Sequence, residues 1–258
     1  MKTTQGFGRT EDGVRIFTEV TLSARPKPVT AILLHGFSSH HGNRLNRRLI
    51  PILEDLGIST IAFDFRGCGD SNGSLADTTI TTGCKDLEAA LEFALSSASL
   101  VTGEPVLVGS SFGATVALAS SKRLAPSLIL MKAPLISIRS SQTRKRGEAQ
   151  MAAWAKQGVL EIETGRGSQL LKYDYVADSD HYDFLEPGAL GTPEPKVVIV
   201  HGTLDDTASF TDSASFVRAA AGTRQLVAVE GGDHDFDRPG DMDLLVSVFS
   251  DALRGVVR

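Results

Sequence analysis

Short apolar segments alternate with longer segments of helical periodicity along most of the chain. Residues 30–34 are apolar on both faces, which is typical of a central parallel strand, and residues 58–63 form the next predicted strand. Between them, residues 45–56 have helical spacing and end at Gly57, a suitable cap. The same alternation continues through strands at 105–108, 128–131, 196–200 and 225–229 and helices around 87–94, 114–121, 210–221 and 241–253. Because parallel strands need crossover connections, the pattern predicts an α/β fold.

The N-terminal segment has a different pattern. Apolar and polar residues alternate over 14–22, which indicates a strand with one buried face. We expect it to pair antiparallel with residues 5–9 through the turn Glu11-Asp12-Gly13. The two prolines at 26 and 28 then interrupt the chain before the first central strand.

The alternation stops between Pro134 and Pro195, which predicts an insertion in an otherwise continuous fold. The predicted organisation is a core formed by residues 1–134 and 195–258 and a cap formed by residues 135–194, called the insertion below. A basic, helical part comes first, followed by a hairpin that pairs 159–163 with 170–175 around residues 165–167. An excursion of this length in a compact domain is usually functional and often a lid.

Composition and charge exclude several classes of protein. The 258 residues are 41% hydrophobic and 22% charged, which is ordinary for a folded domain. The net charge of -5 provides no positive field, so we expect no nucleic-acid and no membrane partner. Cys68 and Cys84 are too few for a disulfide framework, and the start of the chain has no secretory apolar run, so we expect a cytoplasmic protein.

The strongest motif is Gly109-Ser110-Ser111-Phe112-Gly113, a G-x-S-x-G between a predicted strand and a predicted helix. The bare pattern is common by chance, and the strand-turn-helix context gives it weight. A serine on such a turn has a strained backbone that only small flanking residues allow, and its hydroxyl stands above the sheet. Ser111 is therefore the candidate nucleophile.

A serine hydroxyl needs a base, and the base needs an acid to orient it. The chain order associated with this elbow is serine, then carboxylate, then histidine. His234 follows the last predicted strand, and Asp205 and Asp206 follow the one before it. Because active sites of open α/β sheets lie beyond the carboxyl ends of the strands, these loops are expected to meet above Ser111.

The negative oxygen that forms during attack on a carbonyl needs preorganised donors. In this arrangement they are two backbone N–H groups, one after the nucleophile and one in the loop after an early central strand. Here these belong to Phe112 and Phe37. Gly36 precedes Phe37 and allows the backbone to approach a substrate closely.

Together these motifs resemble those of serine hydrolases of the α/β-hydrolase superfamily. The resemblance rests on Leu34-His35-Gly36-Phe37, Asp64-Phe65-Arg66-Gly67-Cys68-Gly69-Asp70-Ser71, the elbow at Ser111, His201-Gly202-Thr203-Leu204-Asp205 and Gly232-Asp233-His234. It implies a mostly parallel central sheet with helices on both faces and a small cap inserted after the sixth strand. It also favours Asp205 over Asp206 as the acid.

Within the superfamily the chain is similar to small bacterial esterases related to the prolyl-oligopeptidase catalytic domain and to cinnamoyl or feruloyl esterases. It departs from the family in two places. The common Asp-x-x-Val-Pro loop is Asp205-Asp206-Thr207-Ala208-Ser209 here, and the Arg-Gly-His-Gly turn is Arg66-Gly67-Cys68-Gly69. Neither departure removes a catalytic group.

The resemblance implies hydrolysis of carboxylic esters of small acyl or aromatic acids through an acyl-enzyme, with no cofactor and no metal. A thioesterase or acyltransferase acting on CoA-bound or carrier-bound acyl groups is the alternative. A peptidase is a weaker hypothesis, because we expect no propeller that would control the access of peptides. A non-catalytic binding protein is also weaker, because Ser111 has a candidate base and acid.

The insertion is the expected source of substrate selectivity. Its aromatic residues either line a substrate pocket or form the insertion's own small core; they are Trp154, Tyr173, Tyr175, Tyr182 and Phe184. Its basic residues either meet an anionic substrate or form a solvated helix face; they are Arg139, Arg144, Lys145 and Arg146. The sequence leaves both alternatives open, together with the oligomeric state.

Overall fold

The computed structural model describes residues 2–97, 100 and 103–257. Its N-terminal hairpin consists of β1 (Lys2–Arg9) and β2 (Arg15–Leu22), which pair antiparallel with Arg9 opposite Arg15. Gly13 lies in the turn at φ +85°, a left-handed conformation that glycine adopts without steric cost. The predicted N-terminal hairpin is therefore confirmed.

The first half of the core follows the predicted alternation. Its strands are β3 (Val29–Leu34), β4 (Ser59–Phe63), β5 (Glu104–Ser110) and β6 (Leu128–Lys132). Its helices are α1 (Arg44–Asp55), α2 (Ile80–Ser97) and α3 (Phe112–Leu124), with a short 3-10 turn at Leu75–Asp77. Gly57 follows α1 at φ +81°, so this helix ends where the sequence predicted.

The insertion contributes no strand to the large sheet among its described elements. It contains α4 (Ile138–Arg146), α5 (Glu148–Gln157), the hairpin β7 (Val159–Thr164) and β8 (Gly167–Lys172), α6 (Asp174–Ala177) and a 3-10 turn at Asp178–His181. The hairpin is tighter than predicted, because Thr164 pairs directly with Gly167. The prediction that Tyr173 and Tyr175 continue its second strand is wrong, since the chain turns into α6 there.

The second half of the core consists of β9 (Lys196–Gly202), α7 (Phe210–Ala219), β10 (Arg224–Val229) and α8 (Asp241–Val256). The large sheet has the order β1-β2-β4-β3-β5-β6-β9-β10. Strand β2 is antiparallel to both of its neighbours, and the pairs from β4 to β10 are parallel. The predicted α/β fold with a mostly parallel sheet is confirmed, and the insertion follows the sixth strand in chain order.

Two apolar layers hold the helices against the sheet. Helices α2 and α3 contribute Leu87 and Val116 to the layer on one face. Helices α1 and α8 contribute Leu49 and Phe249 to the layer on the other. Buried side chains of the insertion, including Trp154, belong to the first apolar layer. The insertion therefore packs on the face of the sheet that α2 and α3 cover.

The parallel strands β5, β9 and β10 end at the same edge of the sheet. Ser111, the loop after β9 and the loop that contains His234 are therefore brought to one place. In the described ranges, no helix combines the length and apolar character that a bilayer crossing requires. Cys68 and Cys84 are free thiols, and burial raises the pKa of Cys68 to about 12.

Candidate active site

Ser111 occupies the sharp turn between β5 and α3. Its backbone has φ 50° and ψ -118°, a conformation that a non-glycine residue adopts only under strain. The flanking glycines make the turn possible. A Cβ on Gly109 would lie 2.5 Å from Ala114 Cα, and one on Gly113 would lie 2.3 Å from the Leu34 carbonyl oxygen. The Ser111 N–H donates to the carbonyl of Lys132 at 2.9 Å, which fixes the turn to β6.

His234 lies beside Ser111, on the loop after β10. Its Nε2 is 3.1 Å from Ser111 Oγ, and its Nδ1 is 2.7 Å from Asp205 Oδ2. Because a carboxylate only accepts, Nδ1 carries the ring proton and Nε2 presents its lone pair to the serine hydroxyl. The three residues thus form one chain of hydrogen bonds, in the orientation that serine activation needs.

Asp205 is held by more than His234. Its Oδ2 also accepts from Nε2 of His201 at 3.0 Å, while its Oδ1 accepts from the backbone N–H groups of Thr207 and Ala208 at 2.8 and 2.7 Å. Burial alone raises the pKa of Asp205, but the hydrogen bonds from His201 and His234 outweigh burial and hold that pKa well below the usual carboxyl range. The carboxylate is therefore ionised and fixed. Asp206 is exposed, and its Oδ1 accepts from Thr207 Oγ1 instead.

Phe37 lies in the loop after β3, and Phe112 directly follows Ser111 in the chain. Their rings are 6.4 Å apart in an edge-to-face arrangement. Neither backbone N–H donates to an acceptor in the described part of the chain. Phe112 is the first residue of α3, where helix geometry leaves the N–H free. Both N–H groups are thus available to an oxygen that approaches Ser111.

Lys132 is a functional candidate that the sequence analysis missed. It ends β6 and is 6% exposed, and its Nζ donates to the backbone carbonyl of His234 at 2.6 Å. Burial lowers the pKa of this ammonium, although nearby aspartates oppose the shift. The signal was present in the sequence, because Lys132 is the one charged residue that closes an otherwise apolar central strand.

Two cavities meet at Ser111. The first, of about 470 Å³, is also lined by His234, Lys132, Arg44 and Asp235. The second, of about 390 Å³, extends beneath the insertion and is lined by Leu135, Ile162, Leu171, Tyr175 and Arg146. Phe37 and Thr207 line both cavities. A substrate can therefore extend in two directions from the serine hydroxyl.

The aromatic residues expected at a substrate pocket separate into two groups. Tyr175 lines the second cavity at Ser111. Trp154, Tyr173 and Tyr182 do not line either cavity at Ser111. Trp154 is 1% exposed, with its indole N–H on the Leu171 carbonyl and its ring against Tyr173. Tyr182 lines a separate cavity together with Phe184, and its hydroxyl lies 2.9 Å from Thr81 Oγ1.

His35 and His41 have structural contacts. His35 Nε2 accepts from the Phe65 N–H at 3.0 Å, and burial lowers the pKa of His35 to about 4, so the ring is neutral. Within the described residues, His41, Asp64 and Asp70 have ligand atoms within 4.8 Å of one another. The Asp64 oxygens already accept from the N–H groups of His41 and Asp70 at 2.6 and 2.8 Å, so this cluster braces the turn after β4.

A sequence profile of the Alpha/beta hydrolase family matches residues 31–242. The chain belongs to this family. It is 23% identical over 238 residues to the mouse protein named palmitoyl-protein thioesterase ABHD10, mitochondrial, covering 86% of this chain and 74% of that protein.

Solved structures share its fold. A protein from Agrobacterium vitis S4 superposes with a TM-score of 0.80 at 22% identity, covering 98% of both chains. Est1E from Butyrivibrio proteoclasticus, solved with ferulic acid bound, superposes with a TM-score of 0.70 at 20% identity, covering 97% of both chains. The expected α/β-hydrolase fold is confirmed, and the chain is a hydrolase-family protein similar to esterases and thioesterases.

Proposed function

We propose that this protein is a serine hydrolase that cleaves carboxylic esters of small acyl or aromatic acids through an acyl-enzyme. One observation carries the proposal: the hydrogen-bonded chain from Ser111 Oγ through His234 to Asp205 lies where two cavities meet. An activated nucleophile at the junction of two pockets suits a substrate that is split into two parts.

The proposed reaction begins with attack of Ser111 Oγ on the ester carbonyl carbon while His234 Nε2 takes the hydroxyl proton. The carbonyl oxygen becomes negative and accepts hydrogen bonds from the Phe37 and Phe112 N–H groups. The tetrahedral intermediate collapses, the C–O bond to the alcohol breaks, and the alcohol leaves with the proton from His234. Water then adds to the acyl-enzyme, gives its proton to His234, and releases the acid as Ser111 recovers its proton.

The positions of the cavities suggest which part of the substrate each holds. The leaving alcohol must face Nε2 of His234, because that atom donates its proton. His234 lines the first cavity but not the second. In this proposal the alcohol occupies the first cavity, and the acyl group occupies the second, beneath the insertion.

Hydrolysis of 4-nitrophenyl esters from acetate to decanoate, together with methyl ferulate, tests the proposal. Ser111→Ala is expected to lower kcat by about three orders of magnitude or more, because the nucleophile is lost. Ser247→Ala, the same change on the exposed face of α8, is the control. A folded wild-type protein that hydrolyses none of these esters, or hydrolysis that survives in Ser111→Ala, contradicts the proposal.

A thioesterase is the second candidate. It is favoured by the similarity to the mouse protein named as a palmitoyl-protein thioesterase and by the two cations, Lys145 and Arg146, that line the second cavity. The same three residues serve either reaction. A thioester-to-oxygen-ester ratio of kcat/KM above about ten for the same acyl group would favour the thioesterase, and a ratio below one the esterase.

We also propose that the protein works in the cytoplasm. The two free thiols support this, since cytosolic proteins keep their cysteines reduced. Fractionation of the source cells with an antibody against the chain tests the location, and recovery in a membrane or extracellular fraction would contradict it.

A further inference from the structure

Arg146 differs from the other sheltered arginines of the described chain. The arginines that are buried or half-buried there are Arg66, Arg139, Arg146 and Arg224. Arg66 pairs with Asp86 at 2.7 Å, Arg224 with Glu194 at 2.6 Å, and Arg139 with Asp180. Arg146 has no carboxylate within salt-bridge distance among the described residues. A sheltered cation without a counter-charge is unfavourable, which is the first indication of an anionic ligand.

The protein contacts of Arg146 orient it without neutralising it. Its Nε donates to Gln142 Oε1 at 3.0 Å, one turn earlier on α4, and its guanidinium lies over the Trp154 ring at 5.5 Å from the ring centre. Burial lowers the pKa of this guanidinium. The two terminal nitrogens have no acceptor in the described part of the chain, so the planar donor pair that suits a carboxylate remains available.

Tyr175 supplies a second donor without a partner. It is 3% exposed, and its ring packs 5.4 Å from Phe37 and 6.0 Å from Phe112, the two residues beside Ser111. Its hydroxyl makes no hydrogen bond to another described residue. Burial raises the pKa of Tyr175, although the positive charge of Arg146 opposes the shift. The hydroxyl is neutral and able to donate.

Both residues line the second cavity, which contains Ser111. The cavity also has three exposed charged residues, Lys145, Glu161 and Glu163. The two glutamates come from β7 of the hairpin, and neither pairs with Arg146. Water screens exposed charges more strongly than it screens the half-buried guanidinium of Arg146. The one charged group of this cavity lining that is half-buried is therefore positive, and it lies on α4.

We propose that Arg146 and Tyr175 form a carboxylate-binding subsite in the second cavity, so that the enzyme prefers acyl chains that end in a carboxylate. This inference rests on the proposed esterase function and on the placement of the acyl group beneath the insertion. Of the basic residues of α4, Arg139 is paired with Asp180, and Arg144 and Lys145 are exposed, so the subsite uses Arg146, which is half-buried and has no carboxylate partner among the described residues.

The test compares carboxylate-ended and neutral acyl chains of matched length. The substrates are the 4-nitrophenyl monoesters of adipic and suberic acid and the 4-nitrophenyl esters of heptanoic and nonanoic acid. In the wild type, kcat/KM is expected to be at least about tenfold higher for the carboxylate-ended member of a pair. Arg146→Met removes the guanidinium, keeps an unbranched apolar side chain beside Trp154, and is expected to abolish the preference.

Lys156→Met is the matched control, because it removes one positive charge from an exposed site on α5. It is expected to leave the preference unchanged. Tyr175→Phe is expected to reduce the preference several-fold, and it provides a second test if Arg146→Met does not fold. A wild-type ratio near one, or an equal ratio in wild type and in Arg146→Met, overturns the subsite while leaving the esterase proposal intact.

Binding of adipate distinguishes failure of the subsite from failure of the esterase proposal. If no ester is hydrolysed, calorimetric titration of adipate into wild type and Arg146→Met still tests the subsite. Binding that is weakened about tenfold or more in the variant supports it. No binding, or equal binding to both proteins, overturns it.

Discussion

The ammonium of Lys132 donates to the backbone carbonyl of His234, with 2.6 Å between Nζ and the oxygen. The same residue accepts the Ser111 N–H through its own carbonyl. Lys132 therefore binds the backbone of both Ser111 and His234. Through these two hydrogen bonds, β6 helps to set the distance between the candidate nucleophile and its base. We therefore expect Lys132 to act as a positioning residue.

Lys132→Met should lower kcat about tenfold or more and leave KM within about twofold. Loss of the ammonium leaves the His234 carbonyl without this partner, so the ring spends less time in line with Ser111 Oγ. Steady-state hydrolysis of 4-nitrophenyl butyrate measures the effect. Lys122→Met, on the exposed surface of α3, is the control. Full kcat in Lys132→Met would show that the loop holds its histidine without this bond.

Asp205→Asn should lower kcat by about three to four orders of magnitude, while Asp206→Asn should change it little. The amide at 205 stabilises a protonated imidazole poorly and favours the wrong tautomer of His234. Asp206 is exposed and contacts Thr207 instead. Measurement of kcat for both variants compares the same carboxylate-to-amide change at two adjacent positions. A larger loss in Asp206→Asn would reverse the assignment of the acid.

Gly113→Ala should destabilise the fold and reduce activity together. Its added Cβ would lie 2.3 Å from the Leu34 carbonyl oxygen and 2.4 Å from that of His35, so α3 must move away from β3. We expect a loss of about 2 kcal/mol or more in the free energy of unfolding. Urea denaturation measures it. In Gly222→Ala the new methyl group meets no atom within 4 Å, so this variant should differ from wild type by less than about 0.5 kcal/mol.

The sequence predicted the parts of the structure that depend on local pattern. Strands with two apolar faces, such as β3, can only be central, and Gly57 marks the end of α1 because glycine adopts a positive φ freely. Ser111, His234 and the pair Asp205 and Asp206 were identifiable because each follows a strand whose carboxyl end lies at one edge of the sheet, and the family resemblance favoured Asp205 over Asp206. These predictions needed no knowledge of how distant segments pack.

The insertion was harder to predict, because the position of its side chains depends on how distant segments pack. Trp154 and Tyr175 have similar hydrophobic character, yet one forms the interior of the insertion and the other lines the cavity at Ser111. Only the packing of α6 against Phe37 and Phe112 decides which ring faces the site. Likewise, the basic residues of α4 look equivalent in sequence. Only the three-dimensional structure shows that Arg146 is half-buried and has no carboxylate partner among the described residues.

His35 should make the protein less stable as the pH falls from about 7 towards 4. Burial lowers the pKa of His35 to about 4 from an ordinary value of 6.5. Between these values the unfolded chain binds a proton that the folded chain does not, so the free energy of unfolding rises with pH in this window. The full contribution is about 3 kcal/mol, and it is present above the unfolded pKa and absent below the folded one.

Replacement of His35 by glutamine isolates this contribution. Glutamine can accept from the Phe65 N–H as the neutral ring does, but it does not titrate. Carboxylates such as Asp205 also lose stabilising contacts in acid, so the relevant quantity is the difference between wild type and His35→Gln across the series. Urea denaturation at pH 4, 5, 6 and 7 should give a smaller slope of unfolding free energy against pH in the variant. Equal slopes would mean that His35 binds its proton at the same pH in the folded and the unfolded protein, which contradicts the lowered pKa.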